Sequence, residues 1–152
     1  MVTIDCNEQF DIQSIIGLKS VTVVNCSQSQ IEAIIEIDSV KKITILHSQI
    51  NKIVIERDIE KLTISNCESL DFIKFKNISK YLSIKNCNNV NIDHGYLGLD
   101  FTIENCNDLK IISSYDGAAG LIINNSKNIT LPAKKIWIQY LSIENSANVT
   151  FA

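Results

Sequence analysis

The stretch Leu62-Thr63-Ile64-Ser65-Asn66-Cys67-Glu68-Ser69-Leu70 recurs along the chain, and its recurrence decides the fold. The same pattern reads Leu82-Ser-Ile-Lys-Asn-Cys, Phe101-Thr-Ile-Glu-Asn-Cys, Leu121-Ile-Ile-Asn-Asn-Ser and Leu141-Ser-Ile-Glu-Asn-Ser downstream. Upstream it reads Val21-Thr-Val-Val-Asn-Cys, then more weakly Ile43-Thr-Ile-Leu-His-Ser and Val2-Thr-Ile-Asp-Cys. Successive starts lie 19, 22, 19, 20, 19, 20 and 20 residues apart. A fixed period near twenty marks a solenoid, because one such unit is too small to bury its own apolar face and must stack on its neighbours.

Within each unit the apolar residues alternate, which is strand periodicity. An apolar-x-apolar pair follows eight residues after most starts, as at Leu70 and Phe72 or Val90 and Ile92. Asn between the two runs suits a sharp corner, since it tolerates left-handed backbone angles. A third apolar patch (Ile78, or Leu97 with Leu99) precedes the next start. Three short strands per coil give an all-β, single-stranded parallel β-helix of seven to eight coils. It forms one domain over 1–152, a rod about 35 Å long at a coil spacing of ~4.8 Å. The alternative is a leucine-rich-repeat solenoid, which Ile59-x-x-Leu62-x-Ile64-x-x-Cys67 also fits. It would return by helix or 3₁₀ turn where Asp71-Phe-Ile-Lys-Phe-Lys-Asn-Ile78 reads as further strand. No sustained helical stripe is expected anywhere.

The composition is that of a folded chain: 152 residues, 45% hydrophobic and 20% charged, with net charge −3. Thirteen Lys and the single Arg57 give no concentrated basic face, so nucleic acid is not an expected partner. No apolar run approaches a membrane span, and no charged start followed by an apolar stretch marks a secretory leader. A cytoplasmic location follows as the expectation.

The five cysteines share one corner position, or nearly so, with Ser48, Ser126 and Ser146, which reads as a small inward side chain. Stacked parallel Cβ directions and the expected compartment argue for reduced thiols. Asn25, Asn66, Asn86, Asn105, Asn125 and Asn145 form a second column, expected to be an internal amide ladder. Thr22, Thr44, Thr63, Ser83, Thr102 and Ser142 form a third, expected to face solvent.

No reaction is implied. No Cys-x-x-Cys pair suggests a metal, no glycine-rich loop suggests a phosphate, and no cofactor is expected. A carbohydrate-active β-helix would gather carboxylates on one face, whereas Asp71, Asp93, Asp100, Asp108 and Asp116 are scattered. His47 replaces the column Asn, and His94 in Asp93-His94-Gly95 reads as a turn. A protein partner is the remaining class. Trp137, turned outward between Ile136 and Ile138, is the first interface candidate, and Tyr140 and Tyr81 extend its surface. Both solenoid ends read as uncapped, which predicts an end-to-end or homodimer contact or a longer parent chain.

The unit in Leu62-Thr-Ile-Ser-Asn-Cys-Glu-Ser-Leu and Leu121-Ile-Ile-Asn-Asn-Ser-Lys-Asn-Ile resembles the C-terminal domain of cyclase-associated proteins, of the superfamily that includes tubulin-binding cofactor C. The resemblance runs from about residue 21 to 152. It implies a right-handed β-helix, usually dimeric, that binds monomeric actin and promotes nucleotide exchange. Arg57 does not match the cofactor C branch's GTPase-activating motif, and no family site residue maps onto this chain. The expected function is a non-enzymatic cytoskeletal module, with an actin monomer as the partner. The alternative is a structural or assembly subunit that uses the solenoid as a scaffold.

Overall fold

The computed structural model describes residues 1–8, 10–98, 100–112, 119–132 and 138–152. The repeat folds as a parallel β-solenoid of about 7 turns. Each repeat start opens a strand of the first sheet. These are β1 (Val2–Asp5), β2 (Ser20–Val24), β3 (Lys42–Leu46), the ends of β4 (Lys52–Ser65) and β5 (Phe72–Lys85), then β7 (Asp100–Glu104), β9 (Gly120–Asn124) and β11 (Tyr140–Glu144). All pair in parallel and in register, so that Val21, Ile43, Leu62, Leu82, Phe101, Leu121 and Leu141 share one column. The second sheet stacks the starts of β4 and β5 with β6 (Asn91–Leu97), β8 (Lys110–Ile111), β10 (Lys127–Leu131) and β12 (Ala147–Phe151). β4 and β5 run through both sheets without a break in strand structure, bending at an irregularity between Ile55 and Asp58.

The alternation in the sequence becomes an inside and an outside. Ile43, Ile45, Ile53, Ile55, Leu62, Ile64, Ile73, Leu82 and Ile84 are all buried in one continuous core. β-branched Ile stacks well on itself in parallel sheets. Each burial is worth roughly 1.5–3 kcal/mol against leaving that side chain exposed.

Two early coils depart from three strands. Residues Gln28–Ile35 form a helix, α1, where no helical stripe was expected. Ser27 and Gln30 close a capping box, the Gln30 Oε1 accepting the Ser27 N–H at 2.9 Å, and Ile31, Ile34 and Ile35 bury one face. That face spacing is what displaced the second apolar segment of this repeat by two residues. In the first coil Ile12–Ile15 is a 3₁₀ turn whose N-cap Asp11 accepts the Gln13 N–H. These two coils return by helix as a leucine-rich repeat would, whereas the segment whose sequence fitted that alternative, Ile59 to Cys67, runs along β4 as strand through Ser65.

His94 also departs from expectation. It lies within β6 rather than in a turn, opposite Phe75 in the stack, with the two rings 5.8 Å apart and nearly parallel. Its neighbours Gly95 and Gly98 explain the turn-like composition. A Cβ on Gly95 would lie 1.9 Å from the Lys76 carbonyl oxygen, and one on Gly98 would lie 2.0 Å from that of Ser79. Only glycine lets this coil approach the one before it.

Candidate functional site

The corner after each first-sheet strand carries two adjacent columns of opposite orientation. Asn25, His47, Asn66, Asn86, Asn105, Asn125 and Asn145 all adopt left-handed backbone, with φ between 48° and 57°. Their side chains point out of the solenoid, half-buried or exposed, so the column is not the internal ladder the sequence suggested. The amide matters first as a short side chain that tolerates this backbone. Asn86 Nδ2 donates to Asn66 Oδ1 at 2.8 Å, an external rung, and Asn25 donates to Asp5. A second left-handed column (Asn89, Asp108, Asn128, Asn148) carries outer rungs from Asn128 to Asp108 and from Asn148 to Asn128.

The internal ladder is the next residue along. Ser48 Oγ accepts the Cys26 N–H at 3.1 Å and donates to the Leu46 carbonyl at 3.0 Å. Ser126 repeats both bonds, with the Cys106 N–H and the Asn124 carbonyl. Cys67, Cys87 and Cys106 are free, buried thiols that donate to the Ser65, Lys85 and Glu104 carbonyls, the same position two residues back that Ser48 and Ser126 use. Burial pushes all three thiols up, Cys87 to about 12, so none is a nucleophile near neutral pH. The expectation of five reduced cysteines is corrected at the first two coils, where Cys6 and Cys26 form a disulfide. Cys6 falls one position before the column, opposite Asn25, and this diagonal stacking brings the Cα atoms of Cys6 and Cys26 to 4.9 Å, inside the range a disulfide bridges.

The open grooves on this corner are held by the fold's own groups. One, about 660 Å³, is lined by Gln28, His47, Gln49, Asn66 and Glu68 among others. Gln28 already donates to Glu32 and to the Lys52 carbonyl and accepts from the Asn51 and Lys52 N–H groups. Among the described residues no three His, Cys, Asp or Glu side chains are grouped to hold a metal ion. Arg57 is structural too: its Nε donates to the Ile35 carbonyl at 2.6 Å and a terminal nitrogen donates to the Val40 carbonyl at 2.7 Å. It closes the C-terminal end of α1, where a cation also suits the helix dipole.

What remains is the outer face of the first sheet. Three side-chain columns run along it. The leading column reads Ser20, Lys42, Lys61, Tyr81, Asp100, Gly120, Tyr140, and the trailing one reads Val24, Leu46, Ser65, Lys85, Glu104, Asn124, Glu144. Between them lies the hydroxyl column, continued at the N-terminal end by Thr3. It is less open than expected: Thr22 is 8% exposed and Ser83 1%. The longer outer columns shelter it, and the Tyr81 hydroxyl reaches Thr102 Oγ1 at 3.4 Å.

Of the three interface candidates, Trp137 lies outside the described residues. Tyr140 is 59% exposed at the head of β11. Tyr81 is half-buried with the Lys61 ammonium 5.0 Å above its ring. The register places Tyr81 and Tyr140 in one column, three coils or ~14 Å apart and not in contact. The sequence did not reveal the sorting of charge along this face. Lys42 and Lys61 lie on the N-terminal side of the Tyr81 coil, Lys85 lies within that coil, and Asp100, Glu104 and Glu144 lie on its C-terminal side. The signal was available, since reading every twentieth residue reproduces each column. No family model matches this chain, and neither a curated protein nor a solved structure matches it.

Proposed function

We propose that this chain is a non-catalytic protein-binding module, a rigid β-solenoid that presents the outer face of its first sheet to a protein partner. The observation that supports this reading most is the in-register face itself. Tyr81 stands at its centre beneath Lys61, flanked by charges sorted along the rod. A surface of fixed side-chain spacing loses little conformational freedom on binding, which favours association. A Tyr beside a cation is a common anchor of protein interfaces.

Monomeric actin is the specific partner of this proposal, resting on the resemblance of the repeat. The test is release of a fluorescent nucleotide from actin monomers across a titration of the chain. A saturable change, lost when Tyr81→Ala and Lys61→Glu are combined and retained in Lys110→Glu on the second sheet, supports both partner and face. No response at tens of micromolar removes actin. A response indifferent to the Tyr81 and Lys61 changes removes the face.

An actin partner entails a cytoplasmic location. Among the described residues no helix is long and apolar enough to cross a membrane. The Cys6–Cys26 bond pulls against that location, since such bonds persist in oxidising compartments. The redox state of these two residues in extract from the chain's own cells is therefore a direct test of it.

A further inference from the structure

We infer that the first-sheet face, when no other protein occupies it, is covered by a second copy of this chain, packed face to face with its solenoid axis reversed. This rests on the reading of that face as a protein-binding surface and names a second occupant, which competes with actin for it. The argument is charge geometry. A two-fold axis lying in the interface, along the strands and through the coil of Tyr81, keeps each column opposite itself and reverses the coil order. The coil of Lys61 then faces the coil of Asp100 in the second copy, in the same leading column, and the converse contact follows by symmetry. Tyr81 meets its own counterpart on the axis. Lys42 faces the coil of Gly120, which presents no side chain, and lies one coil from the Asp100 carboxylate.

Lys61 and Asp100 are both exposed and, among the described residues, neither has an ion-pair partner within its own chain. The like charges that the axis brings together are already neutralised: each Lys85 is bonded to its own Glu104. Asp5, the one carboxylate at the basic end, is engaged by Asn25 and by the Asn7 N–H. The other face-to-face two-fold, along the solenoid axis, would set Lys61 against Ser65 and Asp100 against Glu104 of the second copy, so neither charge would meet its opposite. The shared face measures about five residues by seven coils, roughly 550 Å² in plan. That is near the lower end of a stable interface per partner, so the expected dimer is reversible and salt-sensitive.

The test is sedimentation velocity of the whole chain from 5 to 500 µM, at low and high salt. A monomer–dimer equilibrium that weakens with salt is expected. Lys61→Glu and Asp100→Lys should each raise the dimer dissociation constant at least ten-fold, and the double variant should return it to within about three-fold of the parent. Circular dichroism and melting temperature confirm that each variant is folded. A monomer at every concentration overturns the inference, as does a dimer indifferent to both single reversals or a double variant no better than the singles. Loss of the actin response with the dimer intact would sink the proposed partner and leave this inference standing. A monomer whose actin response depends on Tyr81 and Lys61 would do the reverse.

Discussion

At the scale of single residues, the Asn column separates two roles that the sequence could not. Every member sits at φ near 50° and points outward. If backbone tolerance is the main role, Asn86→Gly should be nearly neutral. Asn86→Ala should cost about 1–2 kcal/mol, the penalty for a side chain in left-handed backbone. Equal losses in chemical denaturation would instead assign the stability to the Asn86–Asn66 rung. Gly98 is the opposite case. Gly98→Ala drives a Cβ into the Ser79 carbonyl and should cost about 3 kcal/mol or more, beyond ordinary overpacking. At Gly17, also left-handed but with open space around it, alanine should cost only about 1–2 kcal/mol. His94 adds a pH dependence. Burial against Phe75 pushes its imidazole pKa down, so the native state resists a proton that the unfolded chain accepts. This contribution is complete above the unfolded value near 6.5 and is lost as pH falls through the folded value. Urea midpoints should therefore drop between pH 7 and pH 5, and His94→Phe should flatten that drop.

At the scale of elements, strands were easier to read than helices for a physical reason. A strand in a solenoid repeats its pattern in every coil, so eight weak signals reinforce one another. The helix α1 occurs once. Its signal, Ser27 and Gln30 ahead of Ile31, Ile34 and Ile35, is local chemistry that a search for periodicity averages away. His94 was misplaced by the same logic, because Asp-His-Gly looks like a turn until the neighbouring coil shows why glycine is needed. Arg57 ties α1 to the coil that follows, through charge-assisted bonds to carbonyls of residues 35 and 40. Arg57→Ala should cost about 2–3 kcal/mol. Hydrogen exchange should show faster opening of Gln28–Ile35, with β7 and β9 unchanged. Uniform acceleration through all coils would mean that the solenoid unfolds as one unit and that Arg57 is not a local clasp.

At the scale of the whole molecule, the fold was legible because stacking turns a sequence period into a column, and a column is either inside or outside. The candidate site was legible only in part. Tyr81 and Tyr140 were found as outward-facing aromatics, but the sorting of charge depends on the axial order of coils, which no single repeat contains. The cysteine column makes a whole-molecule prediction. Its three free thiols stay protonated in the native state where the unfolded chain ionises, because burial holds them up, Cys87 to about 12. Their contribution is intact below the unfolded value near 8.5, and it is lost as pH rises toward the folded values. Stability should fall between pH 9 and pH 11. Cys87→Ser, a residue this column already uses at Ser48 and Ser126, should fold and reduce that fall. Alkylation with mass detection should label three cysteines in denaturant without reductant and five with it. Five labels in both would mean that Cys6 and Cys26 are not bonded.

The position of Ser48 in that column carries a consequence for chemical damage. It is the one hydroxyl between the Cys6–Cys26 pair and the run of Cys67, Cys87 and Cys106. Neighbouring coils bring Cα atoms within the separation that a disulfide spans, as Cys6 and Cys26 show. Two coils, ~9.6 Å, exceed any Cα separation a disulfide spans. Ser48 thus works as a firebreak: an oxidising equivalent captured at the end of the rod cannot pass from sulfur to sulfur into its middle. Ser48→Cys would remove the gap, and scrambled pairs joining Cys26 to later coils should then accumulate under mild oxidation.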